Sequence, residues 1–303
     1  MGEDEPLLPA ATLQVLRTAA KHLSKAAKLL RNVAAADNGS AATDLDRRSS
    51  RTASMPKPAS NGPVVVSLFD YTCLGLEPWK ARGFEVHAYD RRHPPGYSVT
   101  ASGVHIHGVD LSTHEALQSV LDEHAGRQVA FAMAYPPCTE LSRAGARYWK
   151  EKGEVDPHFQ DNAASLVQRV DATLRKLACP YYIENPASST LRNLWRPPDH
   201  TFEPCWFGGY LDASDAHPMF PSHIVPNQDA YTKRTGLWVG GGFHQMPPQK
   251  RVEPTFKEWT DGATGKRRRV TPILYSGGAE GKEARHATPR GFSEAIAVAY
   301  AHV

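Results

Sequence analysis

Three things are scarce in this 303-residue chain, and each closes off a class of protein. Cysteine comes first: there are four, Cys73, Cys138, Cys179 and Cys205, and no two form a C-x-x-C pair. Neither a disulfide framework nor a cysteine-held zinc is expected, and no metal site is assigned. Long apolar runs are also missing. No stretch reaches the roughly 20 residues that cross a bilayer, and the opening Met1-Gly2-Glu3-Asp4-Glu5 is acidic and unlike a signal peptide. The expectation is a protein of a reducing cytoplasm with no membrane partner. Net charge is the third. Lys and Arg number 35 against 32 Asp and Glu, too even a balance to argue for a polyanionic partner. The distribution says more: from Gly241 to Arg290 ten basic residues stand against five acidic ones, with Lys266-Arg267-Arg268-Arg269 among them. Such a stripe suits phosphate contacts or a plain solvated surface.

What is present suffices for a packed core, since 41% of residues are hydrophobic and 22% charged. Leu13, Leu16, Ala20, Leu23, Ala27 and Leu30 make one apolar stripe, so 1–36 is expected to hold an amphipathic helix that docks on its own domain or self-associates. Residues 37–61 are rich in Ser, Ala, Thr and Arg and read as a flexible linker. From 62 the pattern changes. Pro63 to Phe69, Phe84 to Asp90, Val104 to His107, Val129 to Tyr135 and Pro180 to Ile183 read as strands. Helical stretches separate them: one ending at Arg82 before Gly83, one from Thr113 to His124, and a long one from Gln160 to Ala178. Strands alternating with helices imply a doubly wound parallel α/β sheet. Ligands of such sheets bind beyond the carboxyl ends of the strands. Phe69-Asp70, Asp90, Asp110, Pro136-Pro137-Cys138 and Glu184-Asn185 all fall there.

Two of those positions carry reactive groups. Cys138 follows two prolines that stiffen its loop, and a thiol so held can attack an electrophilic carbon. Glu184 ends an apolar strand, where desolvation favours the protonated acid. Together, Pro136-Pro137-Cys138-Thr139-Glu140-Leu141-Ser142 resembles the catalytic loop of cytosine-5 DNA methyltransferases, and Ile183-Glu184-Asn185-Pro186 is similar to that family's Glu-Asn-Val motif. Order and spacing agree from about Val64 to the C-terminus, most nearly with the short methylase-like proteins encoded by phages. The resemblance implies a Rossmann-like methyltransferase domain over 62–303, with a small target-recognition insert at about 241–281. It implies a terminal helix, from Pro289 to His302, packed beside the first strand. It also implies S-adenosylmethionine as donor, held by Phe69, Asp70, Asp90, Asp110 and Pro136. The partner is DNA, its cytosine flipped out or already single-stranded. Cys138 is then the nucleophile, Glu184 the partner of the ring N3, and Asn185 and Ser142 support the loop. Lys233 and Arg234, before the strand-like Leu237-Trp238-Val239, resemble the family's basic motif at the flipped nucleotide. A phage origin would place the protein in a bacterial host's cytoplasm.

Two departures keep alternatives open. Tyr71, Cys73 and Leu74 stand where the family's donor motif has glycines, and Arg285-His286 replaces a Gly-Asn pair near the donor. A donor bearing an extra carboxylate, such as carboxy-S-adenosylmethionine, would welcome Arg285, making the enzyme a carboxymethyltransferase. A catalytically silent DNA-binding relative is the third reading.

Overall fold

The structure, a computed structural model, describes residues 62–302; the helix and linker expected over 1–36 and 37–61 lie outside them. Eight strands of the described residues make one sheet: β1 (Val64–Leu68), β2 (Glu85–Tyr89), β3 (Gly96–Val99), β4 (His105–Gly108), β5 (Val129–Ala134), β6 (Tyr181–Pro186), β7 (His200–Phe202) and β8 (Thr235–Gly240). Their order is β3-β4-β2-β1-β5-β6-β8-β7. The ladders β4-β2-β1-β5-β6 are parallel, and β8 runs antiparallel to both β6 and β7. This is the expected α/β fold, a mainly parallel sheet of the Rossmann-like kind.

Alternation along the central strands sorts side chains to two faces. Val65, Phe131, Met133 and Tyr182 point to one core, which Trp79 and Phe292 complete. Val64, Val66, Leu68, Ala132, Ala134, Tyr181 and Ile183 point to the other. Both faces are buried, which explains why these strands read as continuous apolar runs.

Helices cover each face. On the second lie α1 (His114–Glu123), begun by Thr113, whose side chain accepts the Ala116 amide at 3.1 Å, and α2 (Phe159–Lys176). The latter buries Ala164, Val167, Val170 and Leu174, one stripe at helical spacing. On the first lies α3 (Arg290–Tyr300), the expected terminal helix. Its Tyr300 and Phe292 rings meet Phe131 and Tyr182 at 5.2 and 5.6 Å. The helix expected before Gly83 is a single turn, Glu77–Lys80, though Gly83 does take the left-handed φ of +86° that stops it. Its anchor is Trp79, fully buried and stacked on Phe131 at 5.0 Å.

Three of the β pieces were not expected. β3 is a short antiparallel edge strand, exposed throughout. β7 is a three-residue strand held only by β8. Within 241–281 the chain forms a separate antiparallel hairpin, β9 (Lys257–Thr260) and β10 (Arg267–Val270). No helix of the described residues is long and apolar enough to cross a membrane.

Candidate active site

The carboxyl ends of the parallel strands open into one cavity of about 680 Å³, within the roughly 300–1,000 Å³ usual for small-molecule sites. Its wall includes every residue singled out from the sequence: Phe69, Asp70, Asp90, Asp110, Pro136, Cys138, Ser142, Glu184, Asn185, Lys233, Arg234, Arg285 and His286. β5 and β6 are parallel neighbours in register, Ala134 opposite Ile183. The Pro-Pro-Cys loop and Glu184 therefore leave the sheet side by side.

Hydrogen bonds fix that pair of segments. Asn185, 1% exposed, donates from Nδ2 to the Pro136 carbonyl at 3.2 Å and so ties β6 to the loop. The loop turns on itself, with the Leu141 and Ser142 amides donating to the Cys138 carbonyl at 3.0 and 2.8 Å. The Thr190 amide, beyond β6, holds the Leu141 carbonyl at 2.9 Å. Glu184, Asn185 and Pro186 belong to β6 itself, not to a loop after it, because β8 pairs along them with Leu237 opposite Glu184.

The Glu184 side chain is 11% exposed, and Lys233 Nζ lies 3.9 Å from its Oε1. The sequence pointed to a desolvated acid; the structure sets the Lys233 ammonium beside it. Burial pushes the Cys138 thiol above its ordinary value, the Lys233 charge pulls it down, and the Glu184 charge adds to the rise. Of the two basic candidates Lys233 is the one at the acid. Arg234 is exposed, and its carbonyl accepts the Ala187 amide at 3.1 Å.

The other end of the cavity is built on the turn after β1. Asp70 is buried, and its carboxylate accepts from Ser67 Oγ and the Cys73 amide, both at 2.8 Å. Burial pushes its carboxyl up against those bonds. Asp70 therefore serves its own turn. Phe69 and Cys73 both have φ of +58°. The left-handed backbone a glycine-rich loop would supply is present, then, at a cost of about 1–2 kcal/mol per non-glycine residue. Gly75 is the glycine this turn does need, since a Cβ there would sit 2.8 Å from the Tyr135 hydroxyl.

Asp90 and Asp110 follow neighbouring strands. Asp90 Oδ1 accepts the Arg92 amide at 2.7 Å. Asp110 is exposed, and the Ser112 amide at 3.0 Å, with Arg91 nearby, holds its carboxyl below the usual range. Arg92 lies over the Tyr71 ring at 3.8 Å and pairs with Glu283 at 2.5 Å, bridging the rim. Arg285 donates from one guanidinium nitrogen to the carbonyls of Ser276 and Ile273, at 2.9 and 3.3 Å. Partial burial, then the Lys233 charge, hold His286 below its ordinary value.

Tyr135 and Thr288 also line the cavity and were not anticipated. Tyr135 shares a 2.7 Å hydrogen bond with Tyr182. Its place directly after the β5 run was the available signal.

The sheet has a likeness among solved structures. A protein described as a DNA modification methyltransferase encoded within a prophage (E. coli) is similar over 59% of this chain, at 14% identity and a TM-score of 0.34. The chain spans less than half of that structure, 46% of its length. No family model matches the sequence, and no curated protein does.

Proposed function

We propose that this protein transfers a methyl group from S-adenosylmethionine to the 5-position of cytosine in DNA. One observation carries the reading: Cys138, Glu184 and Lys233 converge on the wall of a single cavity that also reaches Asp90 and Asp110. The Cys138 thiolate adds to C6 of a flipped or single-stranded cytosine, forming a carbon–sulfur bond and leaving C5 nucleophilic. Glu184 holds the ring N3 and eases that addition as a general acid. Lys233, 3.9 Å from Glu184, favours the thiolate and yields the acid to the base when it arrives. C5 then takes the methyl carbon of a sulfonium donor bound beside it, which leaves as the neutral thioether; loss of the C5 proton to water and cleavage of the sulfur–C6 bond then restore the ring and return the thiolate.

The donor end fits the group. Asp90 and Asp110 offer carboxylates at adjacent strand ends, suited to ribose and adenine, beside the turned backbone at Phe69. When bound there, S-adenosylmethionine supplies the electrophilic carbon. DNA contact is supported by the hairpin β9–β10, whose Arg267, Arg268 and Arg269 are exposed. Beside it, Trp259 and Tyr275 are exposed and lie 5.9 Å apart. Bases and phosphates suit such a surface. The hairpin runs straight into Leu274 of the cavity wall, so 241–281 acts as the recognition insert.

The test is the intact mass of a cytosine-containing oligonucleotide after incubation with enzyme, with plain and carboxylated donor offered in parallel. A gain of one methyl that Cys138→Ala abolishes is expected. A larger gain with the carboxylated donor alone would assign carboxymethyl transfer, with Arg285 or His286 reading the extra carboxylate. No gain with either donor would refute transfer to DNA cytosine and leave a silent binder.

A further inference from the structure

A second constellation lies on the other flank of the sheet. Glu85 and His87 are two apart on β2, and His105 and His107 two apart on β4, so each pair shares a face. The strands are parallel neighbours, with His87 opposite His105. Ring packing holds the group still. His105 stacks on His87 at 4.5 Å, and Tyr89 stacks on His107 at 4.1 Å. The Tyr97 hydroxyl bonds His105 Nδ1 at 2.8 Å. Glu123, near the end of α1, completes a trio in which single ligand atoms of His87, His107 and Glu123 all lie within 4.8 Å of one another.

We infer that His87, His107 and Glu123 form a binding site for a zinc-class divalent cation. The geometry is near what such an ion asks. His87 Nδ1 and His107 Nε2 stand 3.0 Å apart, and a tetrahedral zinc with Zn–N of about 2.0–2.1 Å spaces its ligand atoms roughly 3.3 Å apart. Glu85 supports the choice of nitrogen. Its carboxylate lies 2.7 Å from His87 Nε2 and can only accept, so Nε2 carries the proton and Nδ1 turns to the ion. A carboxylate behind a ligating imidazole fixes the tautomer and strengthens the ligand. Arg127 pairs with Glu85, which commits that carboxylate to the outer position. The overlapping set Glu85, His87 and His105 draws on the carboxylate that His87 Nε2 and Arg127 already engage. His107 and Glu123 are part exposed, so the ion has a way in. Bound, it would clamp β2 and β4, the strands that lead into Asp90 and Asp110, to the end of α1. The inference does not depend on what reaction the cavity performs.

The test is calorimetric titration of zinc sulfate into the full chain after chelator treatment, with cobalt(II) absorption as a second readout. One zinc per chain and tetrahedral cobalt bands are expected. His107→Gln and Glu123→Gln, at part-exposed positions, should each weaken zinc at least 10-fold and quench the cobalt bands. Glu85→Gln should weaken it by about 10–100-fold, while His244→Gln, at an exposed position away from the cluster, should match the parent. Absence of stoichiometric uptake by the parent chain would overturn the assignment. So would unchanged zinc affinity in both ligand variants.

Discussion

Asp229 offers a prediction that can be worked through. It lies in a single 3-10 turn, Asn227–Asp229, with φ of +48° and 3% exposure. Its Oδ2 accepts the Gly291 amide at 2.9 Å, at the start of α3. Burial raises its carboxyl to about 6, outweighing that bond and the nearby Arg290 charge. The folded state thus holds the proton more tightly than the unfolded chain. The stability this provides is full below about pH 4 and is lost as pH climbs through 6. A shift of about two units is worth about 3 kcal/mol. Asp229→Asn keeps an acceptor for Gly291, suits a left-handed backbone and removes the ionisation. It gives up an acceptor facing the Arg290 amide, at about 1 kcal/mol. The variant should match the parent near pH 4.5 and exceed it by about 2 kcal/mol at pH 8, about 4–8 °C in Tm for a chain this size. Urea unfolding at both values measures it. A stability difference that is the same at pH 4.5 and pH 8 would refute the reasoning.

Three more outcomes are expected. Lys233→Met should slow iodoacetamide alkylation of Cys138 at pH 7.5, and Glu184→Gln should speed it. Each change should be a few-fold, as ~0.5–1 kcal/mol of charge interaction implies; mass spectrometry follows the rate, and the same sign in both variants would contradict the assignment of charges around the thiol. Gly75→Ala should cost about 1–3 kcal/mol by overpacking, because Tyr135, 2.8 Å from the new carbon, is held by Tyr182 and cannot retreat freely; denaturant unfolding reads it. Replacing Arg267, Arg268 and Arg269 together by Gln should flatten the dependence of log DNA affinity on log salt by roughly 2–3, about 0.9 per lost phosphate contact. Fluorescence anisotropy across a salt series measures that slope, and no change would remove the hairpin from the interface.

Much of this was legible because burial on both faces forces a simple signal. β1, β5 and β6 are apolar runs, and runs that end in Asp70, Cys138 and Glu184 announce the edge where a ligand sits. The pieces that escaped have no such signal. β3 is exposed on every residue, and β7 is three residues long. Arg143–Tyr148 and Trp149–Val155 form a 3-10 stretch and a short helix without one buried side chain. That Glu184 has Lys233 as a neighbour depends on β8 lying between β6 and β7, a pairing between segments some fifty residues apart. The histidines were legible in principle: Glu85-x-His87 and His105-x-His107 place like groups on one face of each strand.

The reversed direction of β8 has one more consequence. A parallel strand presents only its far end to the cavity; β8 presents its beginning. Lys233 stands just before that ladder begins, and the bond from the Ala187 amide to the Arg234 carbonyl, at 3.1 Å, continues the pairing up to it. Deleting one residue from the start of that strand would draw the lysine about 3.3 Å along β8 and away from Glu184. The pairing of cation and acid behaves as a ratchet with no intermediate setting: it is kept whole or it is lost.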